Sequence, residues 1–180
     1  GGTFSETAVE AALRVRGPLA APKIGGTFAV PSVAVRGRIQ ADYSTDPTKT
    51  LAGDVEFQGV LSDIPFVAGL TGNGWGQEWN LDSLSFSARE GQARLQGSLT
   101  PDGVCIAGHW SELPLALLGI ADIDGTISGT VDVKANQGQA EGSLRWESPE
   151  LILGGSPVTQ AAGRVVLRGG RMHLEDWRAS

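Results

Sequence analysis

The chain is poor in the residues that most often carry redox, metal and acid–base chemistry. Its 180 residues include one cysteine, one methionine, one tyrosine and two histidines. The single cysteine, Cys105, excludes an intrachain disulfide but does not decide the redox compartment. His109 and His173 fall on the polar side of alternating strand patterns and belong to no metal-ligand motif. The sequence also contains no nucleophile-elbow motif. We therefore expect no metal, no cofactor and no enzymatic activity.

Charge and hydropathy limit the possible partners as well. Lys and Arg number 14 against 20 Asp and Glu, which gives a net charge of −6. Because the charges are mixed in sign and form no basic stripe, we expect no nucleic-acid partner. No run reaches the 18 apolar residues of a membrane span, and no signal peptide is recognised. The chain begins without Met and ends inside a strand pattern, so we expect a segment of a longer protein.

Several segments of the chain alternate strictly between apolar or glycine residues and polar ones. The longest example is residues 123–135, in which Ile127 and Val131 share one phase while Ser128 and Asp132 share the other. Since successive side chains of a strand point to opposite faces, this alternation predicts a half-buried strand. At ~3.3 Å per residue, such a strand would be roughly 43 Å long. A strand this long, apolar on one side only, needs an equally long apolar surface to face.

Short turn signals between these rows predict an all-β fold, a single continuous domain over residues 1–180 with a long antiparallel sheet. The clearest hairpin has Gly169-Gly170 as its two-residue turn. Its register places Val165 opposite Leu174, and Arg164 opposite Glu175 as a favourable charge pair on the other face. None of the apolar rows contains a charged residue, so one face of the sheet is predicted to be free of charge.

Glycines interrupt the apolar rows at seven positions: Gly59, Gly97, Gly108, Gly125, Gly129, Gly142 and Gly163. Such glycines either let a sheet twist and curl, or mark a place where something approaches the backbone closely. In the second case the curled sheet would hold a shallow trough filled by acyl chains or by an unfolded apolar segment. The predicted lining of that trough is Val55, Phe57, Leu61, Leu84, Phe86, Leu95, Leu99, Val104, Ile106, Trp110, Ile123, Ile127, Val131, Val133, Leu144, Trp146, Val165, Leu167, Met172 and Leu174.

An internal repeat relates residues 59–66 to residues 108–115. Each copy ends a predicted strand and enters an apolar, proline-containing stretch, residues 64–70 and residues 113–120. Because proline suits the first turn of a helix, these stretches predict one or two short helices or apolar loops. The glycine-rich residues 72–76 predict a flexible loop that exposes two tryptophans.

The order of these motifs resembles the TamB family, the inner-membrane-anchored half of the translocation and assembly module. Residues 13–28 resemble that family's repeating unit of a strand, Gly-x-Leu, Pro and Gly. Residues 108–115, followed by residues 123–129, are similar to its tract of Trp, Leu-Pro and Ile-x-Gly-x-Ile-Ser-Gly.

The resemblance implies a β-taco, a long sheet curled into an open U-shaped trough that is apolar inside. It implies a periplasmic segment of an inner-membrane-anchored, envelope-spanning protein of the AsmA-like bridge type. The implied roles are phospholipid transport between the inner and outer membranes and support of outer-membrane protein assembly. The implied partners are phospholipid, an Omp85-type barrel and unfolded outer-membrane protein clients. The family offers no catalytic residues to carry over.

Three hypotheses therefore remain open from the sequence. The first is a lipid-binding trough, the second a chaperone-like module whose sheet edge pairs with client strands, and the third a closed β-sandwich. Ile127 separates the first from the third. A charged side chain there would unfold a closed core, whereas in an open trough it could reach water.

Overall fold

A computed structural model describes residues 8–18, 20–31, 34–43, 51–119, 122–136 and 139–180. Most of them are in strands, and the one helix in this part of the chain is the 3-10 helix Leu115–Leu118. The strands are β1 (Glu10–Arg16), β2 (Lys23–Val30), β3 (Val35–Tyr43), β4 (Leu51–Leu61), β5 (Ile64–Trp75), β6 (Glu78–Ala88), β7 (Gly91–Thr100), β8 (Gly103–Pro114), β9 (Ile123–Asn136), β10 (Gln139–Leu153), β11 (Ser156–Arg168) and β12 (Arg171–Arg178).

All twelve strands form one antiparallel sheet in chain order, β1 to β12. The sheet is curled but unclosed, because among the strands that the structure describes β1 pairs only with β2 and β12 only with β11. The predicted all-β class and antiparallel meander are therefore confirmed. The closed β-sandwich is wrong, since the described residues form a single sheet and no second one packs against it.

The long strands predicted by the alternating pattern are present. β9 has 14 residues and β10 has 15, against a usual strand length of about five or six residues. The hairpin at Gly169-Gly170 has the predicted register, with Val165 opposite Leu174. Both glycines have positive φ, 56° and 74°, as a primed turn requires. Arg164 lies opposite Glu175 as predicted, but the ion pair of Glu175 goes to Arg168, at 3.7 Å between Nη2 and Oε1.

The two copies of the internal repeat fold differently. The second copy leads into the 3-10 helix, as predicted, but the first continues directly into β5, so the helix or apolar loop predicted over residues 64–70 is wrong. Ser62 and Asp63 both have positive φ and form a tight turn that returns the chain at once. Pro65 is tolerated there because β6 begins to pair with β5 only at the next residue, so no hydrogen bond to β6 is lost.

The predicted flexible tryptophan loop is also wrong. Residues 72–75 complete β5, and Trp79 lies in β6 after a turn at Gly76. The Trp79 indole Nε1 donates to the carbonyl oxygen of Gly76 at 3.0 Å, which fixes the turn. Both tryptophans are exposed, as predicted.

Few side chains are fully buried, and most of them lie near one end of the strands. Leu115 of the 3-10 helix packs against Leu151 and Ala161, and these three form the core cluster. Ile64, at the β4–β5 turn, is 1% exposed. Since the hairpins β4–β5, β6–β7, β8–β9 and β10–β11 all turn at this end, we call it the helix end and the opposite one the open end.

Candidate functional site on the apolar face

The strand register aligns the apolar rows into continuous rungs that cross the whole sheet. A rung here is a series of directly paired residues, one from each strand, on the same face. The middle rung crosses all twelve strands without a polar side chain: Leu13, Gly26, Ile39, Val55, Leu70, Leu84, Leu95, Gly108, Val131, Leu144, Val165 and Leu174. The face that carries it is called the apolar face.

A second rung lies two residues away, toward the open end. It also crosses all twelve strands and contains only aliphatic residues, methionine and glycine: Val15, Ile24, Ala41, Gly53, Gly72, Leu81, Gly97, Ile106, Val133, Gly142, Leu167 and Met172. Beyond it a shorter rung runs from β3 to β10, through Tyr43, Leu51, Gly74, Trp79, Leu99, Val104, Ala135 and Ala140.

The rung on the other side of the middle one, toward the helix end, alternates aromatic and small residues strand by strand. It reads Ala11, Phe28, Gly37, Phe57, Ala68, Phe86, Ala93, Trp110, Gly129, Trp146 and Gly163. Trp177 of β12 completes it across an irregularity in the β11–β12 register, with its ring centroid 5.4 Å from that of Trp146. We call this the aromatic rung.

The aromatic rings of this rung pack over the small residues of the neighbouring strands. A Cβ added to Gly129 would lie 2.5 Å from Cζ2 of Trp110, and one added to Gly163 would lie 2.9 Å from Nε1 of Trp146. Of the two sequence-based interpretations, close approach therefore applies at both positions. At Gly163 only the Trp146 ring of the adjacent strand approaches, whereas at Gly129 the backbone carbonyl oxygen of Arg145 approaches as well as the Trp110 ring.

A cavity of about 520 Å³ opens on the apolar face between β3 and β8. Residues of the middle, second and short rungs line it, among them Ile39, Val55, Leu70, Leu81, Leu99 and Ile106. Several of these side chains stay accessible, with Leu99 47% and Ile106 39% exposed. All six strands from β3 to β8 of the curled sheet contribute residues to this lining.

The structure brings most of the predicted lining residues together on the rungs. The middle rung holds Val55, Leu84, Leu95, Val131, Leu144, Val165 and Leu174; the second rung Ile106, Val133, Leu167 and Met172; the aromatic rung Phe57, Phe86, Trp110 and Trp146; and the short rung Leu99 and Val104.

Three predicted lining residues lie elsewhere on the apolar face, at the helix end. Ile123 and Ile127 pack against the core cluster under the 3-10 helix, and Leu61 lies opposite Ile64 at the β4–β5 turn. Ile127 was expected in an open trough because its own strand offers no large neighbour. It is covered instead by residues from the helix, β10 and β11, which a single strand's pattern does not reveal.

Several lining residues were missed by the sequence analysis. Ile39 is the apolar residue between the polar Arg38 and Gln40, and this alternation could have identified it. Leu70 was hidden because its segment was interpreted as a loop or helix. Trp79 was assigned to a loop for the same reason.

The opposite face carries the charges. Lys23 and Asp42 pair across β2 and β3 at 3.7 Å, and Arg38 pairs with Glu56 across β3 and β4. His109 lies exposed on this face between Arg94 and Thr130 of the neighbouring strands. The sheet therefore separates an uncharged face from a charged one.

Comparison with known proteins gives no relative: no family model, no curated protein and no solved structure matches the chain. Within the described ranges, no three or more His, Cys, Asp and Glu side chains group as metal ligands would. The same ranges contain no helix of the length and hydropathy needed to cross a bilayer.

Proposed function

We propose that the apolar face binds the acyl chains of phospholipids. The observation that carries this proposal is the pair of rungs that cross all twelve strands without a polar side chain. In a soluble monomer, an exposed apolar patch beyond a few hundred Å² usually marks a binding surface. Burial of apolar area contributes about 25 cal/mol per Å², so contact with an acyl chain would stabilise this face.

The dimensions of the rungs fit more than one acyl chain. Neighbouring strands lie about 4.8 Å apart, so a rung of twelve strands is about 53 Å long. The hydrocarbon core of a bilayer is about 30 Å thick and holds two opposed acyl chains, which gives roughly 15 Å per chain. A rung is therefore long enough for several acyl chains placed end to end, which movement of lipid along the sheet would require.

The wider role follows from the family resemblance. In this proposal the chain is part of a TamB-type envelope protein, and the apolar face is the wall of a U-shaped trough that carries phospholipid between the inner and outer membranes. An Omp85-type barrel partner and a contribution to outer-membrane protein assembly belong to the same proposal. The segregation of charge to the opposite face supports a surface that stays in water while the apolar face holds lipid.

The direct test is to identify what the protein carries. The chain is expressed in a diderm bacterium, purified without detergent and extracted with organic solvent, and the extract is examined by mass spectrometry. We expect phospholipid, and we expect the stripped protein to take up a fluorescent fatty acid. Protein that carries no lipid and takes up no fatty acid would contradict the proposal.

A pair of lysine substitutions localises the binding. Ile106→Lys places a charge on the second rung, at a side chain that is 39% exposed, so the fold should tolerate it. Gln96→Lys places the same charge on the opposite face of β7. We expect at least a tenfold loss of fatty-acid uptake for Ile106→Lys and wild-type uptake for Gln96→Lys. Equal uptake by both variants would remove the apolar face as the binding surface.

Client-strand binding is a second candidate, and it is favoured by β1 and β12, each of which is paired on one side only within the described residues. Photo-crosslinking separates the two functions. A crosslinker at Leu95 of the middle rung should capture lipid, whereas crosslinkers at edge positions such as Arg14 should capture client chains.

A further inference from the structure

Five neighbouring strands carry a row of basic and hydroxyl side chains on the face opposite the apolar one, which we call the charged face. The row consists of directly paired residues from β7 to β11: Arg94, His109, Thr130, Arg145 and Arg164. These residues are far apart in the chain, and only the strand register aligns them. Over these five strands the row contains no acidic residue.

Two like charges meet in this row, because Arg145 lies directly opposite Arg164. Cations of the charged face are paired differently between β3 and β4, where Arg38 lies opposite Glu56 and forms an ion pair with it. Like charges directly opposite each other on neighbouring strands destabilise a sheet. The arginine pair therefore has an electrostatic cost that an anion between the two guanidinium groups would remove.

No acid neutralises the arginine pair in the part of the chain that the structure describes. Glu175, which lies opposite Arg164 on β12, forms its ion pair with Arg168. Arg164 is half-buried, and its Nε is buried without a hydrogen-bond partner among the described residues. A buried donor that lacks an acceptor is costly and rare in proteins. Arg164 therefore offers a donor to a ligand.

A cavity of about 610 Å³ opens beside the pair. Its charged and hydroxyl lining residues are Thr130, Arg145, Glu147, Arg164, Asp176 and Arg178. The three arginines outnumber the two carboxylates, so the lining is net positive. Both carboxylates lie off the row, toward the helix end, since Glu147 follows Arg145 on β10 and Asp176 follows Glu175 on β12. An anion is therefore favoured on the row itself.

We propose that Arg145, Arg164 and Thr130 bind a phosphate group. A guanidinium fork matches the geometry of phosphate oxygens and donates two hydrogen bonds to them. Directly opposed residues have Cβ atoms about 4.5–5.5 Å apart, so both forks reach one tetrahedral anion. The Thr130 hydroxyl, opposite Arg145 on the other side, is a further donor.

The same chemistry is offered by a soluble phosphate ester and by a phospholipid headgroup, and the experiments below separate these two sources. The site lies on the face opposite the apolar rungs. It therefore does not rest on the proposed acyl-chain binding, and either proposal can fail without the other.

The first experiment titrates inorganic phosphate into the protein and follows the arginine Nε–H signals by nitrogen-15 NMR. The Arg164 signal is assigned by its loss in Arg164→Gln. We expect this signal to shift saturably with phosphate, and not with chloride at the same ionic strength. The absence of a saturable, phosphate-specific shift would overturn the proposal.

Calorimetric titration of variants locates the site. Arg145→Gln and Arg164→Gln should each weaken phosphate binding about tenfold or more, the usual effect of losing a hydrogen bond to a charged group. Arg14→Gln removes the same charge from the charged face of β1, far from the cavity, and should bind like the wild type. Wild-type affinity in both cavity variants, or an equal loss in Arg14→Gln, would refute the site.

Thermal melting shows whether the variants remain folded. Without phosphate, Arg145→Gln should melt at or above the wild-type temperature, because the repulsion within the arginine pair is relieved. With phosphate, the wild type should gain in melting temperature and this variant should not, since only a ligand that binds the folded state stabilises it. An equal gain in both proteins would contradict the proposal.

The last experiment identifies the source of the phosphate by co-sedimentation with phosphatidylglycerol vesicles. If the source is a lipid headgroup, the wild type should sediment with the vesicles, inorganic phosphate should release it, and Arg164→Gln should stay in the supernatant. If the source is a soluble phosphate ester, sedimentation should not differ between the wild type and Arg164→Gln, although only the wild type binds phosphate tightly. Both results support the phosphate site, whereas a protein that binds neither phosphate nor vesicles through Arg164 would overturn it.

Discussion

The glycines are the residues whose role changed most between sequence and structure. Their place on the apolar phase was visible in the sequence, because it follows from period-2 alternation alone. What approaches them was not visible, since the Trp146 ring reaches Gly163 only through the register between β10 and β11. The alternating pattern identifies the face of a side chain, whereas its partner depends on how strands align.

This pairing makes a sharp prediction for Gly163→Ala. The added Cβ would lie 2.9–3.0 Å from three atoms of the Trp146 ring, so the ring must move. Overpacking of this kind costs about 1–3 kcal/mol. We expect a loss of that size in the free energy of unfolding by urea, and a change in tryptophan fluorescence, because Trp146 also contacts Trp177.

Gly25→Ala is the matched control, because the nearest atom to its added Cβ is 4.0 Å away and its φ is ordinary. There the smaller entropy of the unfolded chain should stabilise the protein by about 0.4–1 kcal/mol. Equal changes in the free energy of unfolding for the two substitutions would show that the Trp146 ring does not pack over Gly163.

At the scale of elements, the 3-10 helix marks the limit of what the repeat could predict. The same local motif gives a hairpin in one copy and a helix in the other. In the first copy Ser62 and Asp63 take the positive φ of a tight turn. In the second, positive φ at Glu112 comes with an irregular register and β8 continues to Pro114. The helix then packs Leu115 onto β10 and β11, a long-range contact that a local motif does not encode.

The helix should contribute strongly to stability through Leu115. This side chain is 7% exposed and lies in the core cluster, so Leu115→Ala should cost about 2–5 kcal/mol. Leu174→Ala removes the same atoms from a side chain that is 63% exposed and should cost far less. Thermal melting of both variants checks this, and similar melting temperatures would argue against a stabilising role of the helix.

Ile127→Arg now tests the core cluster rather than an open surface. Ile127 is partly buried and packs against the cluster, so the charged side chain would replace that apolar contact and lose part of its hydration. We expect a loss of more than about 3 kcal/mol in the free energy of unfolding, large enough to unfold much of the protein. Ile106→Lys on the second rung should remain folded. A fully folded Ile127→Arg variant would contradict the packing of the helix end.

For the whole molecule, the all-β class and the antiparallel strand direction followed from alternation and turns, because hairpin connections leave little freedom in topology. The register across all twelve strands could not be predicted from the sequence, since it depends on irregularities such as the shift between Glu147 and Leu151. The continuity of the rungs, on which the proposed function rests, is a property of that register. It emerges only when every pair of neighbouring strands is aligned.

The same topology predicts how the molecule unfolds. Each strand pairs only with its neighbours in the chain, as in repeat proteins whose stability is a sum of local terms. The core cluster stabilises β10 and β11, whereas β1 and β12 each have one neighbour among the described strands and carry exposed apolar side chains. Native-state hydrogen exchange should therefore show the strongest protection in β10 and the inner part of β11. It should show the weakest protection in β1 and β12, which open without global unfolding. Uniform protection across all twelve strands would instead indicate a single cooperative unit and contradict this gradient.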